Sequence, residues 1–159
     1  MSGNALDLER LQAEYRANPE SRVFAALADA LRSFGHLNQA VELLERAAPA
    51  HPDYVSAFVL LGQLQEEAGQ HADAGATFAR VLEAEPDNLV ALKHRAKQVY
   101  ETGAVEQAAA ILERILDLDP FDAEARAARE NLRRQQEERF QHSAAASAPS
   151  SEWTDAIDR

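Results

Sequence analysis

The side chains with the most reactive chemistry are spaced in ways that give them little to do. The five histidines, His36, His51, His71, His94 and His142, include no pair at i, i+4 on one helix, and no HExxH is present. His36 and His71 are the two that could approach each other across neighbouring turns, and a metal site would still want a third ligand. Cysteine is absent, which removes disulfides, thiolate metal sites and cysteine nucleophiles together. No serine stands in a GxSxG elbow, and the glycines are isolated, so no phosphate-cradling loop is formed. Glu66-Glu67 and Glu137-Glu138 are paired carboxylates in polar runs, where water screens them; a carboxyl poised for acid–base work needs burial. No catalytic, cofactor-binding or metal-binding residue is therefore expected, and the chain does not read as an enzyme. One local feature stands out. Lys93 and Lys97, the only lysines, lie one turn apart beside Tyr100 in a chain of net charge −11. That excess of negative charge repels phosphate backbones, so nucleic acid is not an expected partner.

The elements that would position these residues follow a strict grid. Gly35, Gly69 and Gly103 are spaced by 34 residues, and so are Pro52, Pro86, Pro120 and Ala40, Ala74, Ala108. Such a period means one helix–turn–helix unit repeated three times. In the middle unit Ala57, Phe58, Leu61 and Leu64 share one helix face, and Ala74, Phe78, Val81 and Leu82 share a second. Gly69 ends the first helix, because glycine tolerates the left-handed conformation of a helix terminus. Pro86 ends the second, because the residue before a proline is pushed out of the helical region. Two helices joined by about four residues pack antiparallel, and Gly62 with Ala74 would let them approach closely.

On this frame Phe24, Leu27, Ala28, Leu31, Ala40 and Leu44 take the places of Phe58, Leu61, Gly62, Gln65, Ala74 and Phe78. In the third unit these places hold Leu92, Arg95, Ala96, Val99, Ala108 and Leu112. The pattern resembles the tetratricopeptide repeat over roughly residues 20–122. Gln65 and Leu31 depart from it by replacing an aromatic, and Arg95 by standing where a buried leucine belongs. The resemblance implies an all-α, α-α superhelix of three helix pairs, with units at 21–54, 55–88 and 89–122. It also implies a scaffold or adaptor that binds a peptide or protein segment on a concave face lined by the first helices. That face would present Arg22, Ala25, Asp29 and Arg32 from the first unit, and Ser56, Val59, Gln63 and Glu66 from the second. The third contributes Val90, Lys93, Lys97 and Tyr100. Some members clamp chaperone C-terminal carboxylates; Ala25, Asp29, Leu60, Val90 and His94 hold the corresponding places here, and none matches.

Outside the units, residues 4–18 predict an N-terminal capping helix with Leu8, Leu11 and Tyr15 on one face. Residues 123–140 predict a C-terminal capping helix, with Asp122 as its N-cap and a narrow Ala125–Ala128–Leu132 stripe. Pro49 predicts that the second helix of the first unit ends near Ala48. Gly75, inside a helix, is expected to cost about 1 kcal/mol relative to alanine. Composition predicts a disordered acidic tail over 141–159 that holds Trp153 and Ile157, and this tail is a candidate to dock in the chain's own groove. No signal-like start or membrane-length apolar run is present, and arginine far outnumbers lysine; a cytoplasmic, bacterial protein is the expectation. The alternatives to a scaffold are a structural subunit assembling through its end helices and a regulatory accessory domain of an enzyme system. The frame carries its own check. Ala74→Leu should overpack the crossing with Gly62 and cost about 1–3 kcal/mol, read as a lowered melting temperature; an unchanged one would show the frame to be misplaced.

Overall fold

The computed structural model describes residues 5–146 of the 159, with side chains to residue 143. Eight α-helices follow one another: α1 (Ala5–Ala17), α2 (Val23–Ser33), α3 (Leu37–Ala47), α4 (Val55–Glu67), α5 (His71–Ala84), α6 (Leu89–Glu101), α7 (Val105–Leu118) and α8 (Ala123–Ala146). There is no strand among the described residues. Pairs α2/α3, α4/α5 and α6/α7 are antiparallel hairpins stacked into an α-α superhelix, with α1 packed on α2 and α8 on α7. Trp153 and Ile157 lie outside the described residues.

The three hairpin turns are built alike. Gly35, Gly69 and Gly103 have φ of 81°, 77° and 83°, where an L side chain would be strained. The N–H of the next residue, in His36, Gln70 and Ala104, donates back to the carbonyl of Leu31, Gln65 and Val99 at 2.9, 2.8 and 3.2 Å. These bonds satisfy carbonyls that the helix ending would otherwise orphan. Proline sets the other boundaries. Pro49 stops α3 at Ala47, and Ala48–Ala50 tighten into a 3₁₀ turn.

Within each hairpin the helices cross over small residues. Ala28, Gly62 and Ala96 on the first helices, and Ala40, Ala74 and Ala108 on the second, are all buried. The ring of Phe78 lies directly on Gly62, and a Cβ there would sit 2.8 Å from a ring carbon. Leu44 and Leu112 stand in the place of Phe78 in the other units, and there the facing residue is alanine. The exchange conserves volume: glycine faces phenylalanine, and alanine faces leucine. Phe24, Val41, Leu44, Leu64 and Val81 are the largest fully buried side chains in the core of the first two units, which Phe58 and Phe78 share. Leu92, Val99, Leu112 and Ile115 form a second core with Ala125 and Leu132 of α8, and Leu82 packs against both.

The departures from the repeat pattern each have a local answer. Gln65 is 3% exposed yet satisfied: its amide donates to Glu45 at 3.0 Å and its carbonyl accepts from Thr77 at 2.7 Å. Arg95 does not enter the core; it points to solvent and donates to Gln98 at 2.9 Å. Gly75 faces the amide of that same Gln98, 2.7 Å from where a Cβ would stand, so its missing side chain makes room for a neighbour. Composition alone predicts that α8 ends at Phe140, whereas it runs to Ala146, carried by the alanines of its last turn. The crossing in the second hairpin is the most constrained. Gly62→Ala should cost about 1–3 kcal/mol, because the Phe78 ring is only 3% exposed and cannot retreat. Combining it with Phe78→Leu should recover much of the loss, a non-additivity read by thermal denaturation of the two single variants and the double.

Candidate functional site

The helices α2, α4, α6 and α8 line one face, and polar rungs tie each to the next. Arg32 on α2 grips Glu67 on α4 through two bonds, Nε at 3.0 Å and Nη2 at 2.5 Å. Between α4 and α6 the rung is Glu66. Its Oε1 meets His94 Nε2 at 2.8 Å and His71 Nδ1 at 3.2 Å, and its Oε2 lies 3.5 Å from Lys97 Nζ. His94 is nearly buried, its side chain 11% exposed, and lies against the Phe78 ring with centroids 4.4 Å apart. Between α6 and α8, Lys93 Nζ bonds Asp122 at 2.6 Å and Glu124 at 3.2 Å, while Tyr100 donates its hydroxyl to Gln135 at 3.0 Å.

Charge on this face is thus largely matched. Burial alone would raise the Glu66 carboxyl. The hydrogen bonds from His94 and His71, with the positive charge of His94 and Lys97, outweigh that and hold it below the usual carboxylate range. The hydrogen bond to Asp122 pushes Lys93 up against the effect of burial, and Glu124 adds to it. Asp122 is pulled down, first by Lys93 and then by the N–H of Ala125, to which its Oδ1 is the N-cap acceptor at 2.8 Å. The lysines that look like a patch of free positive charge in the sequence are therefore struts between helices.

Of the other expected groove residues, Arg22 pairs with Asp53 and Asp29 with Arg32. Ser56 and Gln63 are exposed, Val59 is half-buried and Val90 is exposed; Ala25 is buried in the core and does not reach the face. No hydrogen bond joins His36 to His71 among the described residues; the imidazole that shares a partner with His71 is His94. The sequence gives no sign of this cluster, because Glu66, His71 and His94 come from three different helices. Among the described residues no group of three or more metal-ligating side chains is arranged to hold an ion.

What remains open is a groove between α6 and α8, with a cavity of about 510 Å³. Ala96, Ala108, Leu112, Ala125, Ala128 and Leu132 make it apolar within, and Lys93, Lys97, Tyr100, Glu124, Asn131, Arg134, Gln135 and Glu138 stand around it. It exists because α8 leans on α7 through Ala125 and Leu132 while alanines hold its distance from α6. Tyr100 is 40% exposed and closes one end through its bond to Gln135. Arg134 hydrogen-bonds Asn131 and, among the described residues, makes no ion pair. The lowered Glu66 carboxyl has a consequence for stability. A group depressed on folding contributes at neutral pH, and the contribution is lost as pH falls below the usual carboxylate range through the folded value. Between about pH 6 and about pH 3 the melting temperature of wild type should therefore fall further than that of Glu66→Gln; parallel curves would show that the carboxylate contributes nothing.

Two family models described as tetratricopeptide repeat match residues 25–88 and 65–132, a span from α2 into α8. No curated protein matches. Among solved structures, MamA is similar at 15% identity over 81% of this chain and 76% of its own, with a TM-score of 0.71. YrrB, a TPR protein with an unusual peptide-binding site, is similar at 22% identity over 77% of this chain and 64% of its own, with a TM-score of 0.65. The first TPR of Spaghetti (RPAP3), bound to the HSP90 peptide SRMEEVD, is similar at 16% identity over 72% of this chain and 93% of its own, with a TM-score of 0.62. At these identities the likeness is one of fold. The repeat grid, the stacked hairpins and the two family matches agree: the chain belongs to the tetratricopeptide repeat family.

Proposed function

We propose that the chain is a protein–protein interaction scaffold that holds a peptide or protein segment along the face of α2, α4, α6 and α8. The observation that carries this reading is the groove between α6 and α8, an apolar interior with a polar margin on an otherwise charge-matched face. Such a groove rewards one or two bulky apolar side chains, while the margin fixes their orientation. Two of the structures of similar fold have peptide sites or a bound peptide, which supports the class of ligand and no particular one. A carboxylate clamp is not part of the reading. At the places where the family's clamp residues stand, Ala25 is buried, Asp29 is itself an acid, and His94 is engaged by Glu66.

The same reading makes the chain a non-enzymatic adaptor. Arginine dominating lysine supports a bacterial source, and a cytoplasmic location is part of the same proposal. No helix among the described residues is long and apolar enough to cross a membrane.

Lys93 is a poor probe of the groove, since an acid there would face Asp122 and Glu124 and loosen α8. Lys97 and Tyr100 are better, being more exposed and held by single contacts. Affinity capture from native lysate should recover a partner with wild type and with Glu106→Lys, a charge change on the first turn of α7. The double variant Lys97→Glu/Tyr100→Ala should recover it at least about tenfold less well, near 1.4 kcal/mol of binding free energy. Equal recovery by the double variant, with helicity unchanged, would overturn the assignment of the groove.

A further inference from the structure

The groove between α6 and α8 lies within reach of thirteen residues of this same chain, 147–159, which follow α8. Their sequence is SAPSSEWTDAIDR. From the residues that line the groove and the spacing of those that follow it, we propose that Trp153 and Ile157 occupy the groove of their own molecule. The segment would then be an internal competitor for the partner. This rests on the reading of the groove as the binding surface and names its resident occupant.

Three observations converge on it. The first is reach. Seven residue steps separate Ala146 from Trp153, about 23 Å of extended chain. Returning from Ala146 along α8 to Leu132 covers about 21 Å at the helical rise. Trp153 can therefore come back to the middle of the groove with the connecting chain nearly taut.

The second is spacing. Along α8 the lining runs from Glu124 to Glu138, about 21 Å. Trp153 and Ile157 in extended backbone point to the same side and stand about 13 Å apart. With Trp153 near Leu132, Ile157 falls near Ala125, so both apolar side chains meet the alanine-lined interior. A cavity of about 510 Å³ bounded by Ala96, Ala125 and Ala128 has room for an indole because its walls are small.

The third is charge. Glu152, Asp155 and Asp158 flank the two apolar residues. Along the margin stand three cations, Lys93, Lys97 and Arg134, against two acids, Glu124 and Glu138. Glu124 is engaged by Lys93, Arg134 makes no ion pair among the described residues, and Lys97 has its one carboxylate at 3.5 Å. The acidic segment brings to Lys97 and Arg134 what the charge-matched remainder of the face does not need. Docking of the segment is intramolecular, but a nearly taut tether gives less than the maximal effective concentration, so the apolar contacts of Trp153 and Ile157 carry the affinity.

Trp153 is the only tryptophan, so its emission reports the segment directly in the full chain. The expected result is emission blue-shifted relative to a synthetic peptide of residues 147–159, independent of protein concentration, with reduced quenching by acrylamide. Ala128→Leu, which fills the groove from a half-buried position, and Arg134→Glu, on its margin, should each shift the emission toward that of the peptide without loss of helicity. The full-length Trp153→Ala/Ile157→Ala chain, now free of tryptophan, should bind the added peptide at least about tenfold more tightly than wild type, read by peptide fluorescence for the variant and by calorimetry for both. Wild-type emission equal to that of the peptide and unmoved by either substitution would overturn the proposal, as would a blue shift that disappears on dilution, which would make the occupant a second copy. Capture of a partner that still depends on Lys97 and Tyr100 in that event would leave the groove standing as a binding site without its own segment.

Discussion

Everything in this molecule depends on how closely two helices of a hairpin can approach. Helices this short are marginal alone; each is held by the face it buries against its partner. Contact at the required distance needs a small residue on both sides of the crossing, and the chain supplies one at every crossing: Ala28 with Ala40, Gly62 with Ala74, Ala96 with Ala108. The large residue one turn further on then matches the small one it covers, phenylalanine over glycine and leucine over alanine. Because each hairpin uses its inward faces in this way, the outward faces of α2, α4 and α6 are left free of any duty to their own hairpin.

Those outward faces are not idle. Arg32 with Glu67, Glu66 with His94 and Lys97, Lys93 with Asp122, and Tyr100 with Gln135 connect successive first helices, each bond reaching from one unit to the next. Exposed ion pairs contribute little individually, so their consequence is geometric: they fix the lateral spacing of the helices and neutralise the face they cross. A ligand arriving there meets matched charges. Discrimination passes from electrostatics to the apolar interior between α6 and α8, where alanines leave room for a side chain.

The ends of the array follow the same logic with different outcomes. α1 covers α2 with Leu8, Leu11 and Tyr15, each half-buried. Among the described residues no second helix pairs with α8, and its outer side carries Arg126, Arg129, Arg133 and Glu137, which suit water. Arg129 reaches Glu113 and Arg133 reaches Glu137; Arg134, which stands at i, i+4 from Glu130, turns to Asn131 instead. The residue after each unit's proline shows the change at this end. Asp53 and Asp87 pair with Arg22 and Arg114, whereas the third position is Phe121, exposed beneath the guanidinium of Arg126.

The repeat, its turns and its helix boundaries were legible in the sequence because they are local. A glycine with positive φ, a proline that breaks a helix and apolar residues at three- and four-residue spacing act within a few residues of chain. So did the break of α3 before Pro49 and the Asp122 cap. What distance along the chain conceals, only the tertiary structure decided. Lys93 and Lys97 look like free positive charge until α4 and α8 bring Glu66, Asp122 and Glu124 against them. His94 and His71, unrelated by spacing, meet on one carboxylate because three helices converge there. Ala25 counts as a groove residue on the frame and is buried in fact, within the core against which Leu8, Leu11 and Tyr15 of α1 pack. The groove itself could not be read from any stretch of sequence: its walls come from α6, α7 and α8, and it is defined by the side chains those alanines lack.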